Sequence, residues 1–190
     1  MHPKELTPKA KRTRAAILTA TREIIGESSV SAVNIASICT QANVGRTSFY
    51  TYFADSDAVI GEVAQIAGQE VTARFEVLHC NEPRGLKRLK ACIRTILLIP
   101  VEDRQSALLL ASLAQHTPDL SRLLCHEIAE ELNGARETQD HSLTETECQI
   151  RAQFLSVALL AVVRDLARGA LPSNQVEDYI GPLMAAATAR

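Results

Sequence analysis

The sequence predicts an all-α fold, and three observations carry that expectation. Apolar residues recur at three- and four-residue spacing along nearly the whole chain. No stretch alternates convincingly with the two-residue period of a strand. Helix-start signals are scattered through the chain: Thr7-Pro8, Asn34, Asp55, Thr117-Pro118, and Thr144 with Glu147 three residues on. Short oxygen-bearing side chains accept hydrogen bonds from the free N–H groups of a first turn, and proline tolerates the first helical position. With 190 residues, 46% of them hydrophobic, the chain can form one substantial core or a small domain joined to a larger one.

Taken in order, the first helix follows Thr7-Pro8, has Ile17, Leu18, Thr21, Ile24 and Ile25 at helical spacing, and ends over Gly26 to Ser29. Asn34 caps a short second helix from Ile35 to about Thr40, residues 41–45 break it, and Arg46 to Phe53 form a third. Asp55 caps a fourth that carries Val59, Ile60, Val63, Ile66, Ala67 and Val71. Further helices are expected at about 84–98, 103–115 and 118–136, punctuated by Pro83, Pro100 and Pro118. The Thr144 capping box opens a long helix to about Arg168, with Ile150, Phe154, Val157, Ala158 and Ala161 along one side. A last helix runs from about Asn174 to Ala189, with a kink expected at Gly181-Pro182. That makes about nine helices, divided into a short-helix head, 7–55, and a long-helix body, 56–190.

Net charge is -2, which excludes a global basic excess. Its distribution is uneven. Residues 1–52 hold Lys4, Lys9, Lys11, Arg12, Arg14, Arg22 and Arg46 against Glu5, Glu23 and Glu27, so the head is basic and the remainder acidic. A basic head on an acidic body points to an anionic partner, and a solvated basic face is the alternative. The five cysteines, Cys39, Cys80, Cys92, Cys125 and Cys148, are widely spaced, with no metal-ligand spacing among them. That pattern suits reduced thiols in a cytoplasm, and neither metal nor cofactor is expected. His79-Cys80 and Cys125-His126 are adjacent pairs that a helix turns about 100° apart, so no enzyme is expected.

Two short helices joined by a tight turn and followed by a longer helix outline a helix-turn-helix, at about 34–53. Close crossing needs a small residue on the first helix, and Cys39 fits. The turn needs a left-handed residue, and Asn43 tolerates that backbone. Ile38, Val44, Phe49 and Phe53 have the spacing of apolar anchors. What remains outward on the second short helix is rich in hydroxyls and holds Arg46, a surface suited to phosphates and major-groove base edges.

The same residues resemble the TetR family of bacterial transcriptional regulators. Ile38-Cys39, Ala42-Asn43-Val44-Gly45, Ser48-Phe49-Tyr50 and Tyr52-Phe53 occupy the places where that family has an Ile-Ala pair, Ala-Gly-Val-Ser, Thr-Leu-Tyr and His-Phe. Cys39, Asn43, Tyr52 and Ser56 depart from it; Ser56 stands where the family usually has a lysine. The strong similarity covers about residues 11–60.

The resemblance implies DNA contact by Arg46, Thr47 and Ser48 at base edges and by Asn34, Tyr50, Thr51 and Tyr52 at or near the backbone, with Lys11 and Arg14 among the basic residues that supplement phosphate contacts. It implies a homodimer through the last two long helices, at Phe154, Val157, Leu160, Ala161, Arg164, Ile180, Leu183, Met184 and Ala187. It implies a small-molecule effector pocket in the body, with Ile66, Leu97, Leu109, Leu113, Leu123 and Phe154 as candidate walls. The body is poor in aromatics, so an aliphatic or small acidic ligand is expected. The partners are then a double-stranded DNA operator, released when the effector binds, and a second copy of the chain. Two other readings stay open: a cysteine-based redox sensor on the same fold, and a helical interaction module that binds no DNA.

Overall fold

The computed structural model describes residues 7–138 and 142–189, and nine α-helices form among them. They are α1 (Pro8–Glu27), α2 (Ile35–Gln41), α3 (Arg46–Tyr52), α4 (Ser56–His79), α5 (Leu86–Glu102), α6 (Arg104–His116), α7 (Pro118–Glu137), α8 (Glu145–Ala167) and α9 (Val176–Thr188). Short 3-10 turns at Val30–Ala32 and Ser173–Gln175 join α1 to α2 and lead into α9. No strand occurs among the described residues.

The starts are where capping chemistry puts them. Thr7 Oγ1 accepts from Ala10 N, Asp55 accepts from Ala58 N at 2.8 Å, and Thr144 and Glu147 close a reciprocal capping box. Thr117 differs from expectation. Its hydroxyl donates back to Leu113 O at 2.8 Å instead of capping α7, which begins on Pro118 alone. Pro100 differs too: α5 continues through it to Glu102, because the missing N–H falls in the last turn, where little helix remains to disrupt. α9 also continues through Gly181-Pro182.

α8 is the hub of the body and packs on α5, α6, α7 and α9. α1 packs on α2 and α4 and also lies along α6, so one continuous apolar cluster runs from Ile17 in the head to Ala187 in α9. Gly26 makes the α1–α6 approach feasible. A Cβ there would fall 2.7 Å from Gln105 Cγ and 3.2 Å from its carbonyl oxygen.

α5 and α7 are clamped by a buried ion pair. Arg88 donates to Glu131 Oε1 from Nε at 2.9 Å and from its terminal nitrogen at 2.8 Å, and Glu131 Oε2 accepts Gly85 N–H at 3.1 Å. A further Arg88 nitrogen donates to Glu82 O at 3.1 Å. Gly85 holds φ 145°, and Gly134 lets α7 pass Arg84, whose Cβ would lie 2.5 Å from an added Cβ. The pair is satisfied as it stands, and removing one partner strands a buried charge. Glu131→Ala is expected to cost about 3–5 kcal/mol, read as a lower urea midpoint; a loss below 1 kcal/mol would contradict the clamp.

Candidate nucleic-acid interface and the cleft beneath it

The head is assembled by local chemistry first. Asn34 Oδ1 accepts Ser37 N–H at 2.9 Å, and Ser37 Oγ accepts Asn34 N–H at 3.1 Å, so the start of α2 is closed from both sides. Asn34 is therefore occupied as a cap. Ile38 and Cys39 are buried beneath the crossing. The chain then turns through Asn43 at φ 51°, the non-glycine residue with positive φ among the described residues, and Val44 N–H donates to Cys39 O at 3.0 Å. Gly45 gives α3 no side-chain cap.

α3 has two turns and two faces. Phe49 is fully buried and Phe53, just past its end, is nearly so, with ring centroids 6.0 Å apart. Arg46, Thr47, Ser48, Tyr50 and Thr51 are exposed together on the other face, and Tyr52 is half-buried against the core. The Thr51 hydroxyl donates to Thr47 O at 3.1 Å. The first turns of α1 stand beside this face: Lys9 and Thr13 line a shallow groove with Ser48, Thr51 and Tyr52. Thr13 was not anticipated as part of the surface. Only the fold brings it beside α3. Lys11 is exposed on the same helix.

Arg14, expected among the phosphate contacts, has partners within the chain. Its guanidinium pairs with Glu62 of α4 and lies 5.2 Å from the Phe53 ring centroid. The pair ties α1 to α4. Eight residues further along each helix, Arg22 makes a two-pronged bond to Glu70, both arms 3.0 Å. The matched spacing sets α1 and α4 parallel, braced at points roughly 12 Å apart.

The opposite side of α4 borders open space. A cleft of about 400 Å³ lies between α4 and the start of α7, with Gly61, Ala64, Gln65, Gly68, Gln69 and Thr72 on one wall and Thr117, Asp119, Leu120 and Leu123 on the other. Of the expected pocket residues, only Leu123 lines it. Leu97, Leu109 and Leu113 are sealed in the core, Ile66 is half-buried on α4 but outside the cleft, and Phe154 is 74% exposed on the outer surface. Apolar character marks core and pocket alike, and the sequence period does not separate them.

Phe154 belongs to a second feature. α8 turns Ile150, Phe154, Val157 and Ala158 outward, with Ala161 half-buried, and α9 exposes Gly181, Pro182, Ala185 and Ala186. Arg164 and Met184 are half-buried. Leu160, Ile180, Leu183 and Ala187, expected on the same outer seam, are buried inside the chain's own core, so those four are corrected. Both helices carry apolar residues on more than one side, so either face was open to assignment from sequence.

The cysteines are unpaired. Cys39, Cys92 and Cys148 are buried, Cys125 half-buried and Cys80 exposed. Burial, with the carboxylates of Glu131 and Glu127 adding to it, pushes the Cys92 thiol up to about 12, and burial raises Cys125 and Cys148 as well. A raised thiol pKa disfavours the reactive thiolate. Among the described residues, no group of three or more metal-ligating side chains gathers, and no helix is long and apolar enough to cross a membrane.

A two-turn helix pinned by aromatics, polar outward, and seated on a helical body has the form of a helix-turn-helix. Residues 17–63 match the model of bacterial regulatory proteins, tetR family, a span from the inner face of α1 into α4. No curated protein matches the sequence. Solved structures share the fold along the chain. A TetR-like transcriptional regulator from Rhodococcus sp. RHA1 aligns with TM-score 0.70 at 16% identity, covering 94% of this chain and 96% of that one. The fatty acid degradation regulator FadR from Bacillus halodurans aligns with TM-score 0.71 at 16% identity, covering 95% and 97%. RolR in complex with resorcinol aligns with TM-score 0.67 at 22% identity, covering 93% and 87%. The family match thus covers the head and the start of α4, while the solved structures share the fold of nearly the whole chain.

Asn43→Gly is expected to leave the melting temperature unchanged or raise it. Asn43→Val should cost about 1–2 kcal/mol, because a branched side chain opposes the left-handed turn. Equal melting temperatures for the two variants would remove that turn from the account.

Proposed function

We propose that this chain is a cytoplasmic repressor that binds a palindromic DNA operator as a homodimer and leaves it when a small molecule enters the body. The carrying observation is the exposed face of α3, where Arg46, Thr47, Ser48, Tyr50 and Thr51 stand together with nothing apolar among them but the tyrosine ring. Arg46 is assigned to a guanine, whose O6 and N7 its fork can engage together. Thr47 and Ser48 are assigned to neighbouring base edges, and Tyr50, Tyr52, Lys9 and Lys11 to the phosphates. The working division stays 7–55 for the DNA-binding head and 56–190 for effector binding and dimerisation. No enzymatic role is proposed.

The dimer rests on the outer face of α8 and α9. Phe154 and Val157 would be costly to leave in water, and the alanines beside them let two helices approach closely. A two-fold axis through that face would present two α3 helices to one duplex. Effector control rests on α4, whose braced side holds α1 and whose other side walls the cleft. An occupant that shifts α4 would carry the head with it and spoil the half-site spacing. That occupant must favour the shifted state; 100-fold discrimination, roughly 2.7 kcal/mol, empties a moderately occupied operator. A similar fold that binds resorcinol supports the reading.

Arg46→Ala should weaken specific DNA binding by about 1–3 kcal/mol and relax preference at one base pair per half-site. Fluorescence anisotropy at moderate salt measures both effects, and unchanged affinity would sink the assignment of α3. Val157→Glu should give a folded monomer in sedimentation, whereas Leu160→Glu should unfold the chain by burying a charge in its core. A Val157→Glu dimer of wild-type affinity would move the interface elsewhere.

A further inference from the structure

The cleft between α4 and α7 has a chemistry that narrows what can occupy it. Its apolar floor comes from Ala64, Leu120 and Leu123, and its polar groups are mostly amides and hydroxyls, from Gln65, Gln69 and Thr72. No Lys, Arg or His lines it among the described residues. The one carboxylate, Asp119, makes a solvent-exposed pair with Arg122 at 2.6 Å. A ligand carrying a net charge would give up hydration against the apolar floor with only this exposed pair to answer it, whereas an uncharged polar group finds donors and acceptors together.

The depth of the cleft has its own explanation. Gly61 and Gly68 are seven apart on α4 and turn the same way. Glycine inside a helix is unfavourable, yet neither position needs it for packing: nothing lies within 4 Å of a Cβ added at Gly61, and at Gly68 only Leu123 Cδ1 comes within reach, at 3.9 Å. Gly26 and Gly134 contrast with them, because a Cβ there would collide. What the two α4 glycines preserve is open volume.

Resting on the reading of this cleft as the effector site, we infer that its ligand is an uncharged molecule with an apolar body and a hydrogen-bonding group, not an organic acid. This replaces the expectation of a small acidic ligand. At about 400 Å³ the cleft is within the range of small-molecule sites.

The test is a matched pair of fluorescent probes, N-phenylnaphthylamine and anilinonaphthalene sulfonate, which share a skeleton and differ by one sulfonate. Titrated into the full chain, the neutral probe should bind saturably at one per chain, and the sulfonate at least tenfold more weakly. Gly68→Val should abolish neutral-probe binding while keeping the wild-type circular dichroism spectrum. If that variant folds poorly, Gly61→Leu does the same work from a position with no neighbour to strike. Equal affinity for both probes, each lost in the filled variant, would overturn the uncharged-ligand assignment and leave the cleft as a site. Neutral-probe binding that survives filling, or is absent from the wild type, would overturn the cleft as the site itself.

Discussion

The burial of Phe49 and Phe53 is the constraint on which the molecule depends. α3 spans seven residues, and a helix that short has no stability of its own in water. It exists because its two aromatic anchors are fixed in the core beside Ile38, each worth about 3–5 kcal/mol on the scale of large-to-small core replacements. Once those rings point inward, helical geometry leaves no choice about the rest: Arg46, Thr47, Ser48, Tyr50 and Thr51 face out. The polar outward face is the remainder after packing. Its rigidity is inherited from the apolar side, which allows such short polar side chains to be held as a pattern.

α4 answers to two neighbours at once. Along one side, Glu62 and Glu70 meet Arg14 and Arg22 at equal spacing, so the helix and α1 share a register. These pairs are partly exposed and individually worth little, about 0–1 kcal/mol. Their part is orientation, while the apolar cluster behind them supplies the stability. Along the other side the helix gives up side chains at Gly61 and Gly68 and stands away from α7. Further along, the buried Arg88–Glu131 pair clamps α5 to α7, so the far wall of the cleft belongs to a rigid unit. α4 thus lies between the body clamped at Arg88–Glu131 and the head braced at Arg14 and Arg22.

What was legible in the sequence follows the range of the interaction. Caps at Thr7, Asn34, Asp55 and Thr144 are written within four residues of the groups they satisfy, and each forms where the sequence places it. The helix-turn-helix is likewise a short-range pattern, down to the left-handed Asn43. The pairing of Arg14 was not legible, because its partner Glu62 lies 48 residues away and nothing near Arg14 announces it. That Val157 and Leu160, both expected on the outer surface, point in different directions was hidden for another reason. α8 is apolar on several sides, so period alone locates its faces without saying which one meets the chain's own core. The pocket walls suffer from the same degeneracy. One signal was present and passed over: two glycines seven apart in a helix that would be steadier without them.

In the proposed function, the outward face of α3 is presented twice across a two-fold axis and reads DNA. The most direct measurement is selection of bound duplexes from a random pool with the full-length chain. An inverted repeat is expected, with half-site centres about one helical turn, roughly 34–36 Å, or a multiple of it apart. Arg46→Ala should change one symmetry-related pair of positions and leave the others. Enrichment of no sequence, or of a single asymmetric site unaltered by that substitution, would contradict that reading.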